Sequence, residues 1–457
     1  MTKEFFSVNP HNEQIINSFP LMNLEEVEKI TGLVHNAYLA NLSLSLNNRS
    51  LLVKRVGEIL RERKKMLSEL MTLEMGKPIN QSYTEVEKCA WLCDYYADTA
   101  EELLSNKMIT TDATKSYVKY LPQGIVFGIM PWNFPLWQVF RYVLPALLLG
   151  NGALLKHAPN VFGCSLEIEK IICDSGFIEN TFRSLIIDTD PVAGIIADNR
   201  ICGVTFTGST KAGRIVAGLA GQNAKKSVLE LGGSDPYIIL SDADLDFAAT
   251  ECLKSKLINN GQSCIAAKRL IITKKNEKEF TGLLVDKLKN LNAGNPLNPE
   301  VELGPLARLD LRDNLHRQYT GSVNLGARTL TGGKIPFEKG YYFDMTILTD
   351  ITPEMPVYRE EVFGPLAPVI VAEDDKDAVR IANDTEYGLG AAIFTTDVEK
   401  GEKIAAENLN AGSCFVNAYV KSDPRLPFGG IKNSGYGREL GEPGLTEFAN
   451  IKTVYVK

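Results

Sequence analysis

GIVFGIMPWNFPLWQVFRYVLPALLLGNGALLK (124–156) reads as a strand, a proline-bounded turn, an apolar helix and a second strand. GIVFGIM (124–130) and ALLK (153–156) are short, almost continuously apolar runs, the pattern of strands buried on both faces. The alternation continues through SLIID (184–188), CGVTF (202–206) and SVLEL (227–231), with helix-length stretches at 161–175 and 209–220 between strands. Strand and helix in turn predict an α/β fold built on a parallel sheet covered on both faces.

A second alternating block opens after Gly232-Gly233 with PYIIL (236–240), a helix from about 244, KRLIIT (268–273) and a helix from about 276 to 291. Segments at 367–371, 391–394 and 413–417 carry the strand pattern on. Upstream, Leu52, Val56, Ile59, Leu60, Leu67, Leu70 and Met71 recur at helical spacing, and Gly76 with Pro78 marks the stop. A further amphipathic run extends from Gln81 to about Leu104, with Cys89 and Cys93 as small apolar fillers. No repeat or low-complexity linker interrupts the chain, so the boundary near 232 reads as a tight hinge between two packed domains. Lys115–Tyr120 and Thr453–Val456 are β-rich and isolated; such strands need an edge to pair with, which another subunit could supply.

Composition narrows the function. Lys and Arg number 49 against 56 Asp and Glu, a formal charge of −7 spread along the 457 residues. That argues against general affinity for nucleic acid or anionic membrane and for small-molecule partners. The eight cysteines form no CxxC and have no close His partner, which reads as free thiols in a reducing compartment. MTKEFFSVNP lacks the pattern of an export signal, and the most apolar window, Tyr142–Leu155, is interrupted by Pro145, Gly150, Asn151 and Gly152, so a cytoplasmic location is expected. Four histidines without metal or triad spacing predict no metal site and leave acid/base work to carboxylates, lysines or a thiol.

Four segments could carry chemistry. In PWNFP (131–135) two prolines fix the backbone around Asn133, whose amide donors suit an oxyanion; a plain proline turn is the alternative. FTGSTKAG (206–213) follows a strand and opens a helix without the central glycine of GxGxxG; such a turn serves as a simple βα connection or as an anion site. In NNGQSCIAAKR (259–269), Cys264 sits in a loop beside Lys268 and Arg269, where a thiolate would be favoured unless the cysteine is a buried structural thiol. Glu230, ending the strand of VLELGG (228–233), lies where α/β sheets place ligands, as a base if buried or as a solvated strand end if not.

Taken in series, PWNFP (131–135), Lys156 with HAPN after it, FTGS (206–209), LELGG (229–233), GQSC (261–264), EEVFGP (360–365), FVN (415–417) and PFGGIKNSGYGRE (427–439) resemble the aldehyde dehydrogenase superfamily over nearly the whole chain. EMGKPIN (74–80), PWNFPLWQVFR (131–141), LLKHAPN (154–160) and VLELGGSDP (228–236) are most similar to its short bacterial succinate-semialdehyde dehydrogenases. The resemblance implies an atypical Rossmann cofactor domain (1–103 and 123–232), an α/β catalytic domain (233–432) and a small β oligomerisation element (104–122 and 433–457), assembled as a homodimer or homotetramer.

It further implies Cys264 as nucleophile, Asn133 with the Cys264 backbone N–H as oxyanion donors, and Glu230 as the base that hydrolyses a thioester. Trp132, Lys156, Thr207, Gly208, Ser209, Glu361 and Phe363 would contact the cofactor. Pro159 stands where NAD-selective relatives carry an acidic residue, so binding of both NAD and NADP is expected. Arg141 would face the carboxylate of a small semialdehyde. Ile258 occupies the position of a second arginine in some relatives, leaving Ser422 and Arg425 as further substrate contacts; Ala266 excludes a redox pair with Cys264 at that position.

Overall fold

The computed structural model describes residues 4–457; residue 1, the expected start of the cofactor domain, lies outside them. The chain opens on an antiparallel hairpin, β1 (Glu4–Val8) with β2 (Ile15–Pro20), which the sequence reading missed because nearly every side chain in it is at least partly exposed. Four helices follow: α1 (Leu24–Asn41), α2 (Leu46–Glu62), α3 (Lys64–Met75) and α4 (Ile79–Leu103). The apolar series at 52–71 is thus two helices, divided at Arg63, whose backbone leaves the helical region. Gly76 ends α3 in the left-handed conformation (φ 79°), against Pro305.

The expected isolated strands form a small antiparallel sheet in the order β18 (Asn450–Val456), β4 (Lys115–Leu121), β3 (Lys107–Met108). Between them the chain runs β5 (Ile125–Met130), α5 (Trp137–Leu149), β6 (Gly152–His157), α6 (Phe162–Asp174), β7 (Phe182–Ser184), α7 (Val192–Ala197), β8 (Ile201–Thr207), α8 (Thr210–Gln222) and β9 (Lys226–Glu230). SLIID (184–188) is not a strand through its length. β7 is a three-residue edge strand, and only Leu185 N–H, donating to Leu155 O, prolongs the ladder before the turn at Thr189–Pro191.

These strands form a six-stranded sheet ordered β17-β9-β8-β5-β6-β7, in which β17 (Gly435–Tyr436) is the antiparallel member. Residues 435–436, expected in the oligomerisation element, therefore belong to this sheet. Strand order reverses direction between β5 and β8, a topological switch, and ligands of open α/β sheets bind beyond the carboxyl ends at such a point. One face is covered by α2 to α6 and the other by α1, α7 and α8.

The second block is a seven-stranded sheet: β12 (Arg328–Thr331), β13 (Thr346–Thr349), β14 (Leu366–Ala372), β11 (Arg269–Thr273), β10 (Pro236–Ile239), β15 (Gly390–Phe394) and β16 (Ser413–Val416), parallel except for β12. A helix, α9 (Leu245–Leu257), leads from β10 toward the Cys264 loop. Five residues separate β9 from β10, so the carboxyl edge of the first sheet faces the amino edge of the second, and the 259–268 loop enters β11 across that gap. Among the described residues no helix is long and apolar enough to cross a membrane.

Candidate active site

Strand register brings the first sheet's candidates into line. Lys156 on β6 is the cross-strand partner of Ile129 on β5, and Thr207 on β8 is the partner of Glu230 on β9. Trp132 and Asn133 leave the end of β5, while Ser209 caps α8 by accepting from Ala212 N–H at 3.3 Å. Thr207 Oγ1 is buried with no hydrogen-bond partner among the described residues, beside the free N–H groups of that helix N-terminus.

The PWNFP turn is held from three sides. Glu85 Oε1, on α4, accepts from Leu136 N–H at 2.9 Å and Trp137 N–H at 3.0 Å, the start of α5. Glu85 Oε2 pairs with Lys77, whose ammonium stands 4.1 Å from the Phe134 ring centroid. His157 closes the turn. Its Nδ1 accepts from Ala158 N–H at 2.9 Å, which leaves Nε2–H to donate to Pro135 O at 2.9 Å. Asn133 is buried, and its Nδ2 donates to Gln262 O at 3.1 Å, while Asn259 Nδ2 donates to Asn133 O at 2.6 Å. The rigid turn is thereby tied to the loop carrying Cys264, with the second Asn133 N–H left over.

That loop is strained. Asn259 and Asn260 have φ of 53° and 57°, and Gly261 (φ 76°) lies so close to Gly364 that a Cβ would overlap its carbonyl oxygen. The approach locks the cysteine loop against EEVFGP. Lys268 donates to Gly233 O at 2.7 Å, to Cys264 O at 2.9 Å and to Glu361, which also accepts from Gly233 N–H at 3.1 Å. Trp132 and Phe363 meet edge to face, centroids 5.9 Å apart.

The electrostatics correct one expectation. Lys268 does lower the Cys264 thiol's pKa, but burial outweighs it and pushes the thiol up to about 12, so the resting thiol is protonated. Arg269 points elsewhere, donating to Ser234 O, Ile381 O and Ala382 O. Glu230 is only 2% exposed, which rules out the solvated strand end. Burial and the neighbouring Glu439 hold its carboxyl well above the ordinary range, against the pull of Arg141 and Arg438. Glu439 approaches Arg141 Nε at 2.7 Å as an ion pair out of line with the N–H bond. The sequence reading missed Glu439 inside the glycine-rich tail, where its one signal was the GRE that ends PFGGIKNSGYGRE.

A cavity of about 820 Å³ opens beside Cys264. It brings together Cys264, Arg141, Ser422 and Arg425, as well as Phe134, Trp137 and Lys88; Asn133 and Glu230 are not part of its lining. Arg141 is 2% exposed, donates to Gln138 and lies 5.0 Å over the Phe428 ring. Arg425 is bound to Asp423 at 2.7 Å, with its side chain largely in solvent. Lys88 on α4 was missed because, by sequence, it is one more charge on an amphipathic helix.

Residues 1–454 match the model of the aldehyde dehydrogenase family. The chain is 42% identical over 450 residues to a protein of Synechocystis named "Probable succinate-semialdehyde dehydrogenase [NADP(+)]", covering 98% of this chain and 99% of that one. It is 42% identical to the succinate semialdehyde dehydrogenase [NAD(P)+] Sad of Escherichia coli, covering 98% and 97%. Its structure superposes on succinic semialdehyde dehydrogenase from Streptococcus pyogenes, solved in complex with NADP+, with a TM-score of 0.97, 34% identity and 99% of each chain covered.

Proposed function

Since the chain belongs to the aldehyde dehydrogenase family, we propose that it oxidises a small carboxylate-bearing aldehyde to the acid with NAD or NADP, succinate semialdehyde being the substrate. The observation that carries the substrate class is the cavity in which Cys264 shares its walls with the cationic and hydroxyl groups of Arg141 and Ser422. A charge-assisted hydrogen bond of about 1.5–3 kcal/mol there corresponds to roughly 10- to 150-fold in kcat/KM.

The six-stranded sheet is the cofactor domain in this reading. The unpartnered Thr207 hydroxyl, the α8 N-terminus with Gly208 and Ser209, and the Trp132–Phe363 pair suit an anionic, aromatic-bearing ligand at the β5/β8 switch, with Lys156 and Glu361 as ribose contacts. The nicotinamide ring, when bound, would supply the oxidising power by taking a hydride, one proton with two electrons, from the substrate carbon. Once its proton has passed to solvent water, Cys264 sulfur forms the bond to the aldehyde carbon and the carbonyl π pair moves onto oxygen. The spare Asn133 N–H and the Cys264 backbone N–H hold the resulting oxyanion, and a thioester remains on the cysteine after oxidation. Glu230, on ionising, takes a proton from the water that releases the acid and regenerates the thiol.

The seven-stranded half, 233–432, supplies the nucleophile. The three-stranded sheet is the oligomerisation element: β18 has a free outer edge, and its Ile451, Tyr455 and Val456 stand exposed. The deciding experiment is a kcat/KM panel of short aldehydes, with and without a terminal carboxylate, against both cofactors. The reading predicts strong preference for the carboxylate members; failure to reduce either cofactor with any short semialdehyde overturns it.

A further inference from the structure

The cations around the Cys264 cavity differ in one respect that its shape alone does not reveal. Arg61, Lys77, Arg141, Lys254 and Arg425 each have a carboxylate partner: Asp94, Glu85, Glu439, Glu251 and Asp423 in turn. Lys88 and Lys421 have none among the described residues, and Lys421 is exposed to solvent. Lys88 is the partly buried cation without a carboxylate in contact. It lies on α4 with its ammonium 4.2 Å over the Trp137 ring, donating one hydrogen bond to Ser422 Oγ at 2.8 Å.

Ser422 explains what the ammonium is aimed at. Its Oγ accepts from Lys88 and also from Trp137 Nε1 at 3.1 Å. A hydroxyl has two acceptor sites and one proton, so with both acceptor sites filled the O–H can serve only as a donor, and no described residue accepts it. Lys88 has three N–H groups: one is on Ser422, the ring face of Trp137 takes part of the charge, and a donor remains. The convergence of a spare ammonium donor and an obligate hydroxyl donor is an anion seat.

We propose that Lys88, together with the Ser422 hydroxyl proton, receives the substrate's carboxylate, and that Lys88 is a second charge, beside Arg141, that selects carboxylate-bearing aldehydes; this rests on the reading of the substrate given above. Arg141 is the weaker lure because Glu439 already balances it. The groups facing Lys88 are Arg141, Cys89, Glu85 and Asp423, and burial with the repulsion of Arg141 brings its pKa down to about 8. The cation is present below that pH and is lost above it.

The test compares succinate semialdehyde with butanal, of equal chain length and no charge, on the wild type, Lys88→Met and Lys88→Arg, from about pH 6.5 to about 9.5. Lys88→Met is expected to raise KM for succinate semialdehyde about 10- to 150-fold with kcat within about twofold, and to raise KM for butanal far less. Lys88→Arg keeps KM within a few-fold of wild type. The wild-type ratio of kcat/KM for the two aldehydes falls as pH rises through about 8, and that of Lys88→Arg stays flat. Equal effects of Lys88→Met on both aldehydes, no effect on either, or a pH-independent wild-type ratio would overturn the role of Lys88. A wild type with no preference for succinate semialdehyde over butanal at any pH would instead sink the carboxylate reading itself.

Discussion

Glu85→Gln tests the support of the PWNFP turn. Glu85 and Lys77 are an ion pair at 2% and 1% side-chain exposure, and Glu85 Oε1 also receives the first two free N–H groups of α5. Glutamine keeps an oxygen for those N–H groups and removes the charge, so the loss isolates the stranded Lys77 ammonium. Breaking a buried pair from one side costs about 3–5 kcal/mol. Lys77→Met should cost less, about 1–3 kcal/mol, because the remaining carboxylate keeps both N–H bonds at the positive end of a helix. The double variant should be less destabilised than the two singles combined, by more than about 1 kcal/mol. Urea unfolding followed by tryptophan fluorescence is well placed to read this, since Trp91, Trp132 and Trp137, all three tryptophans of the chain, lie on α4 or within this turn and the start of α5. Turnover should fall in parallel for Glu85→Gln, because Asn133 is two residues from the Pro135 carbonyl that His157 clamps. Additivity of the singles within about 0.5 kcal/mol would refute the coupling.

Burial pushes the Cys264 and Glu230 pKa values up, so kcat/KM for butanal, which makes no use of the Lys88 charge, should climb from neutral toward alkaline pH; Glu439→Gln should move that limb to lower pH, and an unmoved limb would remove Glu439 from the coupling. His157 is depressed from 6.5 to about 4 by burial, so it contributes stability above its unfolded pKa that is lost as pH falls from about 6.5 to about 4. That is about 3 kcal/mol, visible as a steeper drop in urea midpoint for wild type than for His157→Gln; parallel drops would refute it. Ile451→Asp with Tyr455→Asp should lower the mass measured by light scattering without changing the circular dichroism, and an unchanged mass would detach β18 from assembly.

Buried strands were legible because both faces need apolar residues: GIVFGIM became β5 and CGVTF became β8 within a residue or two. SLIID misled for the same reason, since beyond Leu185 the residues Ile186 and Ile187 are buried in the core without laddering. The hairpin of residues 4–20 escaped because little of it faces a core, and Arg63 broke a continuous helical pattern through its backbone angles alone. At the site, Cys264, Glu230 and Asn133 stand in motifs whose local geometry is written in neighbouring Gly and Pro. Lys88 and Glu439 had no such punctuation. Their partners, Ser422 and Arg141, come from 334 residues away in the first case and from helix α5 in the second. Only the folded chain decides that one lysine of α4 meets a serine rather than water.

The edge of the six-stranded sheet also imposes an order in time. β9 receives its last partner, β17, from chain made long afterwards: Ser227 and Tyr436, joined at 2.6 Å, are 209 residues apart, and Asn151 and Phe448 are 297 apart. During translation the half that begins first is completed last, and β9 waits with an open edge while the whole seven-stranded half is synthesised. A nascent chain stalled before residue 435 would expose that edge and leave Arg141 buried without Glu439. Ribosome stalling in the final stretch should therefore yield an aggregation-prone chain rather than a slightly shortened enzyme.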